Sequence, residues 1–179
     1  MGLFMNRVLF SAAALAIAAA SFGLAQPGSK TPAETETTIG GKTIAIKYHA
    51  PSANGRTVFG GEGALLQPNS VWRAGAGDPT TLYTNAELNL AGLDVPPGAY
   101  TLFVQLDPRG WQLIVSKEKG AAANVYHQEQ DLGRVAMTTT HSDAPLDTMR
   151  FAVTRSGGNT GTLRLAWADI AASVNFAVK

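Results

Sequence analysis

The sequence contains no cysteine among its 179 residues. This absence excludes disulfide bonds, thiolate zinc sites, iron–sulfur clusters and cysteine nucleophiles. The histidines at positions 49, 127 and 141 show neither the close spacing of a metal site nor a His-Glu-x-x-His motif. We therefore expect no metal site and no cofactor, and a fold that is held together by apolar burial.

An excess of charge of either sign is also lacking. The chain has 14 lysines and arginines against 13 aspartates and glutamates, a formal net charge of +1. A protein that binds nucleic acid needs a basic surface to replace the counterions of the phosphates. Nucleic acid is therefore not an expected partner, and neither is an anionic membrane surface.

Long apolar runs are absent except near the N-terminus. Arg7 precedes an apolar run over residues 8–20, and the small residues Gly23 and Ala25 follow it. This order is typical of a signal peptide cleaved after Ala25. The run is shorter than the roughly 20 residues of a membrane-spanning helix. We predict a signal peptide over residues 1–25, export to the periplasm or the exterior, and no membrane span after cleavage.

Helical periodicity is absent from the rest of the chain, and strand signals recur instead. Residues 26–33 form a polar leader that we expect to be flexible. Gly40-Gly41 and Pro96-Pro97-Gly98 are turn signals beside alternating apolar segments. The polar residues 117–131 predict a loop or a short helical turn. About nine short strands predict an all-β fold, an antiparallel β-sandwich of jelly-roll or immunoglobulin-like type, as one domain over residues 34–179.

The alternation of apolar and polar residues is absent from residues 55–81. This segment reads GRTVFGGEGALLQPNSVWRAGAGDPTT. A segment that departs from the local rules of its fold is where a functional site is expected. We predict a ligand groove here, while Trp111 and Trp167 are in phase with aliphatic residues and are expected in the core. The candidate ligand-binding residues are Tyr48, His49, Arg56, Trp72, Arg73, Asp78, Thr80 and Thr81.

Two interpretations of Arg73 remain open. Neighbouring side chains of a strand point to opposite faces, so Trp72 and Arg73 cannot share one. In the first, Arg73 forms an ion pair with Asp78 that fixes the position of the loop. In the second, Arg73 and Arg56 together hold an anionic or polyhydroxyl group by forked hydrogen bonds. The glycines of residues 60–63 lack the Gly-Lys-Ser/Thr ending of a phosphate loop and indicate a backbone turn.

Three functions fit these observations. The favoured one is a non-catalytic binding or interaction module for a small polar ligand (a saccharide or a carboxylate) or for an envelope protein. The second is a small cell-envelope hydrolase or isomerase, although no Gly-x-Ser-x-Gly elbow is present and no catalytic residue is identified. The third is a structural or assembly domain.

Several runs resemble, in order, the bacterial exported domain-of-unknown-function family 2911: GRTVFGG, LLQPNSVWRAGA, PTT, PPGAYTLF, WQLIVSK and LRLAW. The resemblance covers residues 48–178 and implies an exported β-sandwich-like domain, with no catalytic residue to carry over. The chain has Gly77-Asp78 where the family often has Asn-Glu. It also has residues 122–126 where the family tends to have Trp-Gly before a tyrosine-rich turn. Any ligand that contacts those groups would be held differently in this chain.

Overall fold

The computed structural model describes residues 30–179, without the side chains of residues 121 and 122. The predicted signal peptide and residues 26–29 of the leader lie outside the described residues. The described chain forms two antiparallel sheets, which confirms the predicted all-β fold. Its helical segments are two short 3₁₀ helices, Gly120–Asn124 and Gln128–Gln130, within the segment predicted to be a loop or a helical turn.

The described residues contain eleven strands rather than about nine, and two of these strands are long. The strands are β1 (Thr31–Ile39), β2 (Lys42–Ala50), β3 (Val71–Trp72), β4 (Thr81–Thr84), β5 (Leu88–Leu90), β6 (Leu93–Val95), β7 (Gly98–Gln105), β8 (Gln112–Ser116), β9 (Asp131–Ala136), β10 (Thr138–Gly157) and β11 (Thr160–Val178). Because β1 begins at Thr31, residues 31–33 of the predicted leader are part of a strand.

The larger sheet has the strand order β1-β2-β4-β7-β8-β9, with β3 also paired to β7, and the smaller has the order β10-β11-β5-β6. The predicted turn at Gly40-Gly41 is confirmed, since it joins β1 to β2 with Ile39 opposite Lys42. Both glycines have positive φ, at 58° and 74°. Two-residue hairpin turns of this kind favour glycine because other residues are strained there.

Strand β7 separates the core of the molecule from the outer face of the larger sheet. Leu102 and Val104 are buried in the core shared by the two sheets. Because side chains alternate along a strand, Thr101, Phe103 and Gln105 lie on the outer face. Phe103 is also buried, at 2% exposure, so an additional segment must cover part of that outer face.

The two short strands β3 and β4 lie one after the other along the same edge of β7. Trp72 is paired with Val104, and Thr81 is paired with Thr101. Residues 73–80 leave the sheet between these two pairs, opposite only two residues of β7. The failure of alternation in the sequence therefore marks a loop inserted into a single strand path, and this loop positions the candidate site.

Close packing between the strands gives a first prediction. A methyl group added at Gly161 in β11 would overlap the ring of Phe176 and lie 2.8 Å from the carbonyl oxygen of Thr154. We expect Gly161→Ala to lower the free energy of unfolding by about 1–3 kcal/mol, as overpacking does. Gly61→Ala is the control, because no atom lies within 4 Å of its added methyl group. Urea unfolding of both variants checks this, and equal stabilities would contradict it.

Candidate functional site

A groove of about 380 Å³ runs along β3 on the outer face of the larger sheet. We call it the Arg73 groove, because Arg73 is the only charged side chain among the described residues that line it. Its walls come from the segment before β3, from β3 itself, from β7 and from the first 3₁₀ helix and the residues after it. The lining residues are Leu65, Leu66, Gln67, Ser70, Val71, Trp72, Arg73, Phe103, Asn124 and Tyr126.

The orientation of Arg73 follows from the burial of its neighbour. Trp72 is 7% exposed and points into the core, so the next side chain along the chain points to the outer face. Arg73 Nη1 donates a hydrogen bond to Asn124 Oδ1 at 3.2 Å. No other described group accepts a hydrogen bond from this guanidinium, so its remaining N–H groups are available to a ligand in the groove.

Apolar side chains also line the groove beside this charge. Leu65, one of the three exposed large apolar side chains among residues 30–179, is 38% exposed and belongs to one wall of the groove. Phe103 contacts the ring of Tyr126 edge-on, at a centroid distance of 5.2 Å. The described lining therefore combines one cation with apolar side chains and with the polar side chains of Gln67, Ser70 and Asn124.

A hydrogen-bonded network of Tyr126, Asp131 and Arg134 fixes the second wall. The hydroxyl of Tyr126 and Nε of Arg134 both donate to Oδ2 of Asp131, each at 2.9 Å. Arg134 also donates to the Tyr126 hydroxyl through Nη2 and to Gln105 Oε1 through Nη1. These bonds tie the segment that covers the outer face to β7 and β9, and they hold Tyr126 and Asn124 beside Arg73.

Two pKa shifts accompany this arrangement. Burial, and then the hydrogen bond to Asp131, raise the pKa of Tyr126 to about 12. The hydrogen bond to Glu118, at 2.7 Å, raises the pKa of His127 above its usual value. The stabilisation that His127 gains from this pair is therefore present below the usual pKa of histidine, and it is lost as the pH rises through the raised pKa of His127.

Sequence reasoning missed this wall of the groove. Tyr126 is the single aromatic residue in the polar segment 117–131, and only the fold brings it to Asp131 and Arg134. Phe103 offered a clearer signal, because it interrupts a strand face that otherwise carries the polar Thr101 and Gln105.

Three of the predicted site residues lie in a separate cleft of about 420 Å³, lined by Pro32, Ala33, Glu34, Lys47, Tyr48, His49, Asp78 and Pro79. Asp78 Oδ2 is 3.9 Å from Nδ1 of His49. The expected Arg73–Asp78 ion pair is not formed, because the inserted loop carries Asp78 over to β2. Tyr48 is buried, and its hydroxyl accepts a hydrogen bond from the backbone N–H of Phe151.

Arg56 and Trp72 are engaged in contacts of their own, although Trp72 also belongs to the lining of the Arg73 groove. Arg56 donates to the carbonyl oxygens of Ser52 and Ala53 at 2.9 and 2.8 Å and does not line the Arg73 groove, so the expected cooperation of the two arginines is not formed. Trp72 stacks on Trp167 in the core, with ring centroids 5.7 Å apart.

The two adjacent threonines differ in their surroundings. Thr80 is fully buried, and its hydroxyl donates to the carbonyl oxygen of Ala74 at 2.9 Å. Thr81 is half-exposed on the outer face and makes only a long contact, 3.5 Å, with the carbonyl oxygen of Pro79. Among residues 30–179, no group of three or more histidine, aspartate or glutamate side chains is arranged to hold a metal ion.

Comparison with known proteins places the chain in a family. The family model described as "Protein of unknown function (DUF2911)" matches residues 30–176. The chain therefore belongs to the DUF2911 family, as its sequence motifs indicated. No curated protein and no solved structure shows significant similarity to it. In the part of the chain that the structure describes, no helix has the length and apolar character needed to span a membrane.

The difference between the adjacent threonines is testable. Thr80→Val preserves the side-chain shape but leaves the buried carbonyl oxygen of Ala74 without its hydroxyl donor. We expect a loss of about 1–3 kcal/mol in the free energy of unfolding. Thr81→Val is the matched control and should change the stability by less than about 0.5 kcal/mol, as exposed substitutions do. Urea unfolding measures both changes, and a neutral Thr80→Val would contradict the structural role of Thr80.

The raised pKa of Tyr126 gives a prediction for alkaline pH. The folded state holds this proton more tightly than the unfolded chain, whose tyrosines have the ordinary pKa of about 10. Its contribution to stability therefore falls as the pH rises from about 10 to about 12. In an absorbance titration, Tyr126→Phe should remove a phenolate step near pH 12, while the control Tyr83→Phe should retain it. A midpoint near 10, with circular dichroism still native, would contradict the network.

Proposed function

We propose that this DUF2911 family member is an exported, non-catalytic binding module that holds a small ligand by a carboxylate group in the Arg73 groove. The observation that carries the proposal is a guanidinium with available N–H groups, set among apolar walls. Arginine binds carboxylates through two parallel hydrogen bonds, and such charge-assisted bonds strengthen where water is excluded. The support for export is the N-terminal sequence pattern.

The aromatic residues favour a carboxylate over a saccharide. Sugar rings commonly stack on an exposed indole face, but the three tryptophans pack around Phe59. Its ring centroid lies 6.4, 4.8 and 6.0 Å from those of Trp72, Trp111 and Trp167. Trp72 and Trp167 stack on each other and are only 7% and 3% exposed, so neither indole offers a free face to the groove.

The lining also favours binding over catalysis. Among the described residues of the lining, the only titratable groups are the Arg73 guanidinium and the Tyr126 phenol. A general base should have a pKa near the working pH, and the pKa of Tyr126 is about 12. The hydroxyl of Ser70 donates to the carbonyl oxygen of Gln67 at 2.6 Å and has no histidine or carboxylate beside it in the lining. This composition suits recognition better than hydrolysis or isomerisation.

A thermal-shift screen of residues 26–179 tests the proposal. The panel contains aliphatic and aromatic carboxylates, neutral saccharides and inorganic phosphate. A ligand at 100 times its dissociation constant adds about 2.7 kcal/mol of stability, which raises Tm by roughly 5–10 °C for a domain of this size. We expect carboxylates with an apolar group to raise Tm, and neutral saccharides to leave it unchanged.

Substitution of the arginine locates the effect. Arg73→Gln should abolish the shift caused by carboxylates while changing the Tm of the free protein little, because Arg73 forms a single long hydrogen bond. Arg164→Gln is the matched control, since Arg164 is exposed on β11 in the smaller sheet. A response that survives Arg73→Gln, or a panel in which only saccharides respond, would overturn the proposal.

A further inference from the structure

We propose that the carboxylate held by Arg73 is the C-terminus of an extended peptide, which binds by adding a strand to the free edge of β3. This inference rests on the proposed function and specifies its ligand. It is carried by the pairing of β3, by the course of the groove and by the position of the charge.

One edge of β3 has no strand beside it. Within residues 30–179, β3 pairs only with β7, although it lies in the same sheet as β2 and β4. Leu106 N–H donates to the carbonyl oxygen of Ser70 at 2.9 Å. In an antiparallel pair the residues that face the partner strand alternate with those that face away. The N–H and C=O of Val71, the next residue, therefore point away from β7 and towards the unoccupied edge.

The groove follows this backbone edge. Four consecutive residues, 70–73, belong to its lining. The side chains of consecutive strand residues point alternately to opposite faces, so one face cannot present all four. The groove must therefore extend from the outer face to the backbone edge, where Val71 offers hydrogen bonds to a further strand. Extended peptides bind other proteins in this way, with main-chain bonds giving affinity and side-chain pockets giving specificity.

The groove distinguishes the two ends of such a peptide. Arg73 carries the only charge among the lining residues that the structure describes, and this charge attracts a terminal carboxylate and repels a terminal amine. The exposed Leu65 on one wall and the buried Phe103 opposite it suit an apolar last side chain. Gln67 Nε2 already donates to Ala64 and Asn124 Oδ1 already accepts from Arg73, so Gln67 Oε1 and Asn124 Nδ2 are the amide atoms that can serve as polar partners for a peptide bond. The expected ligand is therefore a free C-terminus with an apolar final residue.

Fluorescence polarisation with labelled hexapeptides tests this inference. Peptides that end in Leu, Val, Phe or Ala are compared as free acids and as C-terminal amides, with 4-methylpentanoate as a competing carboxylate that has no peptide bond. We expect at least one free acid to bind at least tenfold more tightly than its amide and than 4-methylpentanoate. N-methylation at successive amides of that peptide should weaken binding at every second position, since only alternate N–H groups face β3.

The protein variants complete the test. Arg73→Gln should remove the preference for acid over amide, and Arg164→Gln should keep it. Equal binding of 4-methylpentanoate and the peptides, or no alternation in the N-methyl series, would overturn the peptide inference and leave carboxylate binding in place. If no carboxylate of either kind binds, both the inference and the proposed function are overturned.

Discussion

The stacking of Trp72 on Trp167 is the contact on which the candidate site depends. The two indoles join β3 of the larger sheet to β11 of the smaller one, with ring planes inclined by 27°. Phe59 packs edge-on against both and brings the glycine-rich segment before β3 onto the same core. Because Trp72 is committed to the core, Arg73 has to emerge on the outer face. The groove is thus a consequence of how the two sheets are joined.

The candidate site also depends on the contacts that hold in place the segment covering the outer face of the larger sheet. Phe103 is apolar on a face that would otherwise be solvated, and Tyr126 covers it. The network of Tyr126, Asp131 and Arg134 keeps that cover in place, so the wall opposite Arg73 is held by charge-assisted hydrogen bonds as well as by packing. A binding site with walls fixed in advance loses less conformational entropy when it takes up a ligand.

Much of the fold and part of the site could be predicted from the sequence. Alternation identified β7 and β8, and the glycine pair identified the turn between β1 and β2, because both signals are local. The loss of alternation in residues 55–81 correctly marked a structural irregularity. Among the residues predicted to bind a ligand there, Thr80 and Arg56 donate to backbone carbonyl oxygens and Asp78 lies beside His49, while their role in binding stays a prediction. These contacts depend on the path of the loop through the fold, which local residue preferences do not specify.

The sequence by itself determined the antiparallel all-β character of this protein, the family it belongs to, and the rule that Trp72 and Arg73 face opposite ways. These properties follow from periodicity and from the order of motifs along the chain. Only the tertiary structure decided that Arg73, and not Trp72, points to the outer face. It also decided which residues lie beside Arg73 on that face. Asn124 and Tyr126 lie about 50 residues further along the chain than Arg73 and reach it because β7, β8 and β9 pair side by side. Contacts between distant segments depend on the packing of the whole core, which no local pattern encodes.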